Sequence, residues 1–398
     1  MLGISKSRSR DLVARPPAKA LEDAAILQVT ADLAPHGVAR ATVDVSKALT
    51  ARGARSVIAS AGGALVGEAR IGGAEHAQIR PLSGNPITMM GLSRQISRLI
   101  RDHGIDIVHV RDPLAAWAGL RAARKAGIAS VSTVSTLPSG AGWLKGAYGR
   151  AATATDHVIA ISDFIADALR RARLVPPERL SVIHRGIDLA RFNPAAVKAQ
   201  RLIDLARRHA LPDDKTIVLA AGRIAPRKGF DVLVDALAKL DREDVFCLIL
   251  GGDEGSGEAT RALERKIENA GLGGRVRLGG LCDDMPAAYM LADVVAAPTI
   301  KPEAFGRTCV EAQAMGRAVV VSAHGAARET VLDGETGWLV PPGEAQALAD
   351  ALSRAMLLDP EARRSIALKT RAQVAERFGR ERMCEQVLTV YERLLAGG

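Results

Sequence analysis

Residues 217–237 read IVLAAGRIAPRKGFDVLVDAL: a short apolar run, a glycine-bounded basic loop, then apolar residues at helical spacing. The run Ile217–Ala221 is too continuously apolar for a sheet with one solvent-exposed face, so it predicts a parallel strand covered on both faces. The apolar spacing from Phe230 to Leu237 predicts the helix that follows. This strand–loop–helix unit is the building block of an α/β fold.

The same unit recurs in two series along the chain. The strands predicted in the first series are Ile26–Thr30, Ser56–Ser60, Ile105–Val110, Ala129–Val134, His157–Ile161 and Leu180–His184. Those of the second are Ile217–Ala221, Val245–Leu250, Val276–Leu278, Val294–Ala297 and Ala318–Ser322. We therefore predict an α/β protein with two doubly wound, Rossmann-like domains that face each other across a cleft.

Composition divides the chain into five predicted segments. They are a basic flexible tail (1–20), an N-terminal domain (21–192), a polar linker (193–215), a C-terminal domain (216–377) and a final amphipathic helix (378–398). Hydrophobic residues make up 48% and charged residues 25%, which excludes disorder over most of the chain. The four cysteines form no Cys-x-x-Cys pair, so we predict no metal site and read them as reduced packing residues. No apolar run indicates a spanning helix or a secretory signal, so we predict a cytoplasmic location.

The charge is basic, with 54 Lys+Arg against 44 Asp+Glu and a net charge of +10. Two interpretations stay open: a solvated basic face without a partner, or a patch that places the protein peripherally on an anionic membrane surface. The residues considered for such a patch are Lys6, Arg8, Arg10, Arg15, Lys19, Arg94, Arg98 and Arg101. No nucleic-acid-binding motif accompanies the charge, and aromatics are only 3%, so we predict no nucleic-acid partner.

The basic loop after Ile217–Ala221 is a candidate phosphate site. Arg223 follows Gly222, and Lys228 lies just before the predicted helix N-terminus, where free N–H groups and the dipole favour anions. Together the two cations could neutralise a diphosphate without a metal. Gly252, after the next strand, would let backbone approach a ligand closely. The alternatives are a solvated basic turn and, for Gly252, a plain turn.

The segment 302–316, PEAFGRTCVEAQAMG, predicts a helix that begins near Ala304. Glu303 then lies just before the helix start and Glu311 about two turns later. One carboxylate could meet the reacting end of a ligand and the other a more distant hydroxyl pair. The structural alternative is a favourable first-turn charge at Glu303 and a solvated side chain at Glu311.

These residues resemble the retaining glycosyltransferases of family 4, which have the GT-B architecture. The resemblance covers Ile26 to about Leu395 and rests on the Glu-x7-Glu pattern of Glu303 and Glu311, on Arg223 and Lys228, and on VIHRGIDLARFNP and GETGWLV. It implies a metal-independent transfer of sugar from a nucleotide-sugar substrate, with no cofactor, to a glycan or lipid-linked acceptor. The setting implied is cell-envelope polysaccharide or lipopolysaccharide synthesis on the inner face of the membrane.

The resemblance also implies site roles. Arg223 and Lys228 would hold the diphosphate, and Glu311 the ribose hydroxyls. Glu303 would hold the donor sugar together with the N–H groups of Ala304, Phe305 and Gly306, and Val310 would pack beside the nucleotide; Gly222 and Gly252 complete the donor set. The C-terminal domain would bind the donor and the N-terminal domain the acceptor, and the final helix would cross back to the N-terminal domain.

Two positions on the acceptor side depart from the family pattern. The usual Gly-Gly pair of the first loop is reduced to Gly37, and the usual His after Val131–Val134 is Ser135. His36 could substitute for that His, and His109 and His184 at strand ends could also reach the cleft, although a structural role is the commoner fate of each. Two rival functions follow: a non-catalytic nucleotide-sugar-binding subunit and a GT-B nucleotide-sugar epimerase.

Overall fold

The computed structural model describes residues 18–136, 143–240, 242–253, 255 and 257–397, without the side chains of 143–145. The predicted tail therefore lies almost wholly outside the described residues. The chain divides into two compact units. Unit 1 comprises the described residues of Met1–Ala160, Ala168–Ser181 and Cys384–Gly398, and unit 2 comprises Ile161–Asp167 and Val182–Met383.

The first of two sheets has seven strands in the order β3-β2-β1-β4-β5-β6-β7. The strands are β1 (Ala25–Val29), β2 (Arg55–Ser60), β3 (Glu75–Gln78), β4 (Ile107–Val110), β5 (Ala129–Val134), β6 (His157–Ala160) and β7 (Leu180–Val182). The helices are α1 (Gly37–Ala51), α2 (Val66–Ile71), α3 (Pro86–Asp102), α4 (Pro113–Ala126), α5 (Trp143–Thr153) and α6 (Asp163–Arg171). The pairs from β3 to β6 are parallel, and β1 and β4 are buried along their whole length, as a sheet covered on both faces requires.

The second sheet has six parallel strands in the order β10-β9-β8-β11-β12-β13. They are β8 (Thr216–Ala221), β9 (Val245–Leu250), β10 (Val276–Gly280), β11 (Val294–Ala297), β12 (Ala318–Ser322) and β13 (Gly337–Val340). The helices are α7 (Ala199–Arg208), α8 (Phe230–Lys239), α9 (Glu258–Asn269), α10 (Met285–Leu291), α11 (Arg307–Ala314), α12 (Ala327–Thr330), α13 (Ala345–Met356), α14 (Pro360–Arg377) and α15 (Arg380–Leu395).

The α/β fold class with two Rossmann-like sheets is confirmed. All eleven predicted strands are present, four with the predicted bounds, while β3 and β13 were not predicted. The prediction that a helix begins near Ala304 is wrong: α11 begins at Arg307, because Gly306 adopts the left-handed conformation of its N-cap (φ 75°). The stretch 193–215, predicted as a linker, contains α7, whose Arg201 binds Asp284 at the start of α10.

The final helix α15 begins at Arg380, and its residues from Cys384 onward belong to unit 1. Tyr391 of this helix is fully buried there. Among the described residues, no helix has the length and apolar content to cross a bilayer.

Candidate active site

The loop between β8 and α8 in unit 2 is shaped by three glycines. Gly222 carries a left-handed φ of 147°, and a Cβ there would lie 3.0 Å from Cε of Lys228, so the missing side chain leaves room for the lysine stem. Gly229 (φ 67°) ends a short 3₁₀ turn, Pro226–Lys228, and lies against the carbonyl of Pro298. Gly251, at the end of β9, lies against the carbonyl of Gly222. Close packing of these backbone segments therefore fixes the position of the Lys228 backbone, from which its side chain extends.

Lys228 and Glu303 form an ion pair across 75 residues of sequence. Nζ of Lys228 donates to Oε1 of Glu303 at 2.6 Å, and the two side chains are only 13% and 23% exposed. Nη1 of Arg227 lies 3.8 Å from the same oxygen. Arg223, near the start of the same loop, is exposed. A lysine has three N–H donors, so pairing with Glu303 leaves two for an anion.

Backbone N–H groups line the approach to α11. Among the residues that the structure describes, none accepts a hydrogen bond from the N–H of Ala304, Phe305 or Gly306. Gly306 has open space where a Cβ would stand, so only its φ of 75° demands glycine. Unpaired N–H groups at a helix start attract anions and ligand oxygens.

Glu311 is buried, so the alternative of a solvated side chain is wrong. It is 6% exposed; Oε2 accepts from the Tyr289 hydroxyl at 3.0 Å and Oε1 from Nε of Arg307 at 2.5 Å. Burial, and then the Glu311 charge, hold the pKa of Tyr289 well above its usual value. An ionised carboxylate has about four acceptor positions, so about two remain for a ligand.

Other members of the predicted donor set lie deeper. Val310 is 0% exposed, so a place beside a nucleotide would require that side chain to move. Phe305 is buried and stacks edge-on against Phe378 at 5.8 Å, which anchors the loop that carries Glu303. Gly252, the other predicted glycine, accepts at its carbonyl from the N–H of Ile224 at 2.9 Å. It thereby joins the loops that follow β8 and β9.

His36, in unit 1, is occupied by a structural role. Its Nδ1 accepts from the N–H of Ala39 and caps α1, while Nε2 lies 2.8 Å from Oδ1 of Asp32. Gly37, next along the chain, is the first residue of α1. Ser135 directly follows β5 and is partly exposed.

Replacing His36 by alanine is expected to destabilise the protein by about 1 kcal/mol, because the first turn of α1 loses its N-cap acceptor. Urea unfolding measures the change. His36→Asn supplies an acceptor again and should recover most of the loss. An alanine variant as stable as the wild type would show that the cap contributes nothing.

The prediction that His109 reaches the cleft is wrong. The ring is completely buried, with Nδ1 2.5 Å from the Tyr391 hydroxyl and Nε2 2.7 Å from Oγ1 of Thr133. Burial, with the Arg111 charge adding to it, holds the pKa of His109 well below its usual value. His109 is therefore a neutral core residue of unit 1.

Asp112 is a residue that the sequence reasoning missed. It follows β4, and its Oδ1 caps α4 by accepting from the N–H of Ala115 at 2.8 Å. Its Oδ2 is buried and has no partner among the described residues. Burial, with Asp32 adding to it, raises the pKa of Asp112 from 3.8 to about 6. The Asp-Pro pair at a helix start indicated the cap, but nothing in the sequence indicated the burial.

This raised pKa predicts a pH-dependent stability. The unfolded carboxyl loses its proton first, so Asp112 costs stability progressively as the pH rises from about 4 to about 6, and the full cost persists above that. Asp112→Asn, which keeps the cap, should be more stable than wild type by about 1–3 kcal/mol at neutral pH, with the gain vanishing at acid pH. Urea unfolding across this range tests it. The exposed Asp102→Asn is the control, and a gain independent of pH would contradict the assignment.

Asp163, His184 and Glu329 of unit 2 have ligand atoms within 4.8 Å of one another. The Glu329 carboxylate accepts the N–H groups of Asp163 and Phe164, at 2.7 and 2.5 Å, and lies 3.1 Å from Nε2 of His184. The two backbone contacts of Glu329 cap the start of α6, so this carboxylate has a structural role. His184 was predicted to reach the cleft; here it faces Glu329.

Comparisons with known proteins agree with this geometry. Residues 203–373 match the family described as glycosyl transferases group 1, and residues 35–191 match glycosyltransferase family 4. The D-inositol 3-phosphate glycosyltransferase of Xylanimonas cellulosilytica is 34% identical over 302 residues, which cover 72% of this chain and 71% of that relative. The chain belongs to the group 1 glycosyltransferases of family 4 type.

Further similarities support this family membership. The D-inositol 3-phosphate glycosyltransferase of Saccharomonospora viridis is 33% identical over 317 residues, 77% of this chain and 69% of the relative. A glycosyltransferase structure from Rickettsia africae superimposes with a TM-score of 0.86 at 28% identity, covering 94% of this chain and all of that one. HepE of Anabaena, solved with UDP-glucose, shares the fold at a TM-score of 0.80 and 24% identity, over 93% of this chain and 99% of that one. The GT-B fold and the predicted family are thereby confirmed.

Proposed function

We propose that this glycosyltransferase is retaining and metal-independent, takes a nucleotide sugar as donor substrate and needs no cofactor. The observation that carries the proposal is the Lys228–Glu303 pair at 2.6 Å, held beside the open N–H groups of residues 304–306. A largely buried cation and the free N–H groups before a helix are well placed to bind a diphosphate. The adjoining Glu303 carboxylate can accept hydrogen bonds from sugar hydroxyls.

In this proposal the cations stabilise the leaving group. The bond between the anomeric carbon and the phosphate oxygen breaks, and its electron pair passes to the diphosphate. Lys228 and Arg223 would neutralise that developing charge, and such electrostatic stabilisation is the largest single contribution in many enzymes. The acceptor hydroxyl attacks from the face that the phosphate leaves, and its proton passes to a phosphate oxygen, so the anomeric configuration is retained.

Glu303 and Glu311 would bind different parts of the donor. Glu303 orients Lys228 and has its second oxygen available for a sugar hydroxyl. Glu311 has about two acceptor positions left after Tyr289 and Arg307, which would serve the ribose hydroxyls.

For the acceptor we propose a glycan or lipid-linked hydroxyl in cell-envelope polysaccharide or lipopolysaccharide synthesis, reached at the cytoplasmic face of the membrane. The names of the relatives support a second acceptor class, a phosphorylated inositol. The two classes differ in solubility, so an acceptor panel separates them.

The test begins with the donor. We expect one class among UDP-, GDP- and ADP-sugars to raise the melting temperature and to be slowly hydrolysed in the presence of EDTA. Glu311→Ala should abolish both effects. With inositol 3-phosphate or a lipid-linked glycan added, NMR of the product reports the anomeric configuration. Inversion, a strict metal requirement or the absence of any donor effect would contradict the proposal, and the last would favour a non-catalytic subunit.

A further inference from the structure

The outer face of α3 and α4 in unit 1 is uniformly basic. We call it the basic helical face and define it by six exposed side chains: Arg94, Arg98, Arg101, Arg121, Arg124 and Lys125. The sequence of α3 contains one acid, Asp102, and that of α4 contains none. In α3 the three arginines are three or four residues apart, and in α4 Arg121 lies three residues before Arg124 and four before Lys125, so like charges neighbour one another along each helix and repel.

The contrast with α1 of the same unit shows that this charge is not neutralised locally. Arg40 and Lys47 both pair with Glu68, at 2.5 and 2.8 Å, and Arg52 pairs with Glu385 at 2.7 Å. Within the part of the chain that the structure describes, no carboxylate lies within ion-pair distance of any cation of the basic helical face. Among the described residues, the cations of this face thus have no carboxylate partner.

Two grooves are lined in part by cations of this face. One, of about 560 Å³, lies between α4 and α5 and is lined by Arg121, Arg124, Lys125 and Arg150 around Trp117. The other, of about 480 Å³, lies beside α3 and is lined by Arg80, Arg94 and Arg98. Each groove is large enough for a phosphate-bearing group and offers several cations to it.

Two exposed apolar side chains lie on the same side of α3 as its three arginines. Ile87 is 81% exposed and Met90 42% exposed, in the first two turns of the helix. Met90, Arg94, Arg98 and Arg101 follow Ile87 at intervals of three or four residues, so all five share one side of α3. Apolar side chains beside uncompensated cations are typical of surfaces that contact a lipid bilayer.

We propose that the basic helical face, with Ile87 and Met90, docks this protein on an anionic phospholipid surface, with lipid phosphates seated in the two grooves. A nucleic acid would neutralise the same cations, but it offers nothing to Ile87 and Met90. This inference deepens the proposed function, in which the acceptor is reached at a membrane, and its test does not depend on catalysis.

The test is flotation with phosphatidylcholine vesicles, with and without phosphatidylglycerol. We expect binding that requires phosphatidylglycerol and is lost at high salt. Arg121→Gln/Arg124→Gln/Lys125→Gln should weaken it roughly 100-fold, from the contribution of each cation near a charged surface. Arg354→Gln/Arg364→Gln/Arg371→Gln, which removes equal charge from exposed positions of unit 2, is the matched control and should bind as wild type.

A second variant distinguishes a membrane from a nucleic acid. Ile87→Ser/Met90→Ser should weaken vesicle binding several-fold while leaving retention on heparin unchanged. Because both side chains are exposed, we expect the variant to fold. No preference for phosphatidylglycerol, an equal loss in the matched control, or an unaltered serine variant together with tight duplex DNA binding would each overturn the proposal. Donor hydrolysis measured in parallel shows whether the proposed function fails separately.

Discussion

Replacing Lys228 by alanine is expected to lower kcat for sugar transfer by roughly 10²–10³-fold, the usual cost of removing one preorganised group from a developing charge. Nζ of Lys228 is held 2.6 Å from Glu303, and the side chain is largely shielded from water. Solvent therefore screens its charge only weakly. Among the described residues, the variant leaves Arg227, at 3.8 Å, as the one cation within ion-pair distance of Glu303. The measurement is steady-state transfer or, without acceptor, donor hydrolysis.

The matched control is Lys239→Ala, which removes the same charge from an exposed position at the end of α8 and should leave kcat unchanged. Lys228→Arg keeps the charge but not the compact shape, and should recover part of the rate. If Lys228→Ala raised KM alone, the lysine would bind donor and transition state equally well, and its role in stabilising the leaving group would be wrong.

Gly251→Ala is expected to have the largest effect on stability, a loss of more than about 3 kcal/mol. A Cβ at this position would lie 1.7 Å from the carbonyl oxygen of Gly222, which is backbone and has no rotamer to change. The N–H of Gly251 also donates to the carbonyl of Gly280 at 2.7 Å, so relief of the clash would break a link between β9 and β10. Thermal unfolding and hydrogen exchange in β8 to β10 measure the effect.

Gly271→Ala is the control for backbone conformation alone. Its φ of 69° is also left-handed, but nothing lies within 4 Å of the added Cβ, so the expected cost is about 1 kcal/mol. Equal costs at the two glycines would mean that the junction of β8 and β9 relaxes easily, contrary to the packing described above.

Strands buried on both faces were predictable, whereas two of the four edge strands, β3 and β13, were not. β9, with the sequence VFCLIL, is completely buried and was predicted with its observed bounds. β3 has the sequence EHAQ at the edge of its sheet, with no buried residue, so no apolar run indicated it. β13 is an edge strand that begins with Gly337, whose packing against Val319 depends on the register with β12.

Candidate site residues were predictable from the sequence where the chemistry requires a particular residue type. Their contacts and burial were not, because these depend on residues far away in the sequence. The residues of the Lys228–Glu303 pair were both selected from sequence, although the contact between them was not foreseen. His109 was misassigned because its partner Tyr391 lies 282 residues away in sequence. The burial of Asp112 likewise depends on how its loop packs, which local patterns do not reveal.

The division of the chain into units has a consequence for biosynthesis. Unit 2 is nearly continuous in sequence, from Val182 to Met383, so its core can close while the chain is still emerging. Unit 1 cannot complete its core until Tyr391 has left the ribosome, because that ring is fully buried against His109. Within this chain, the unit that is made first is therefore completed last.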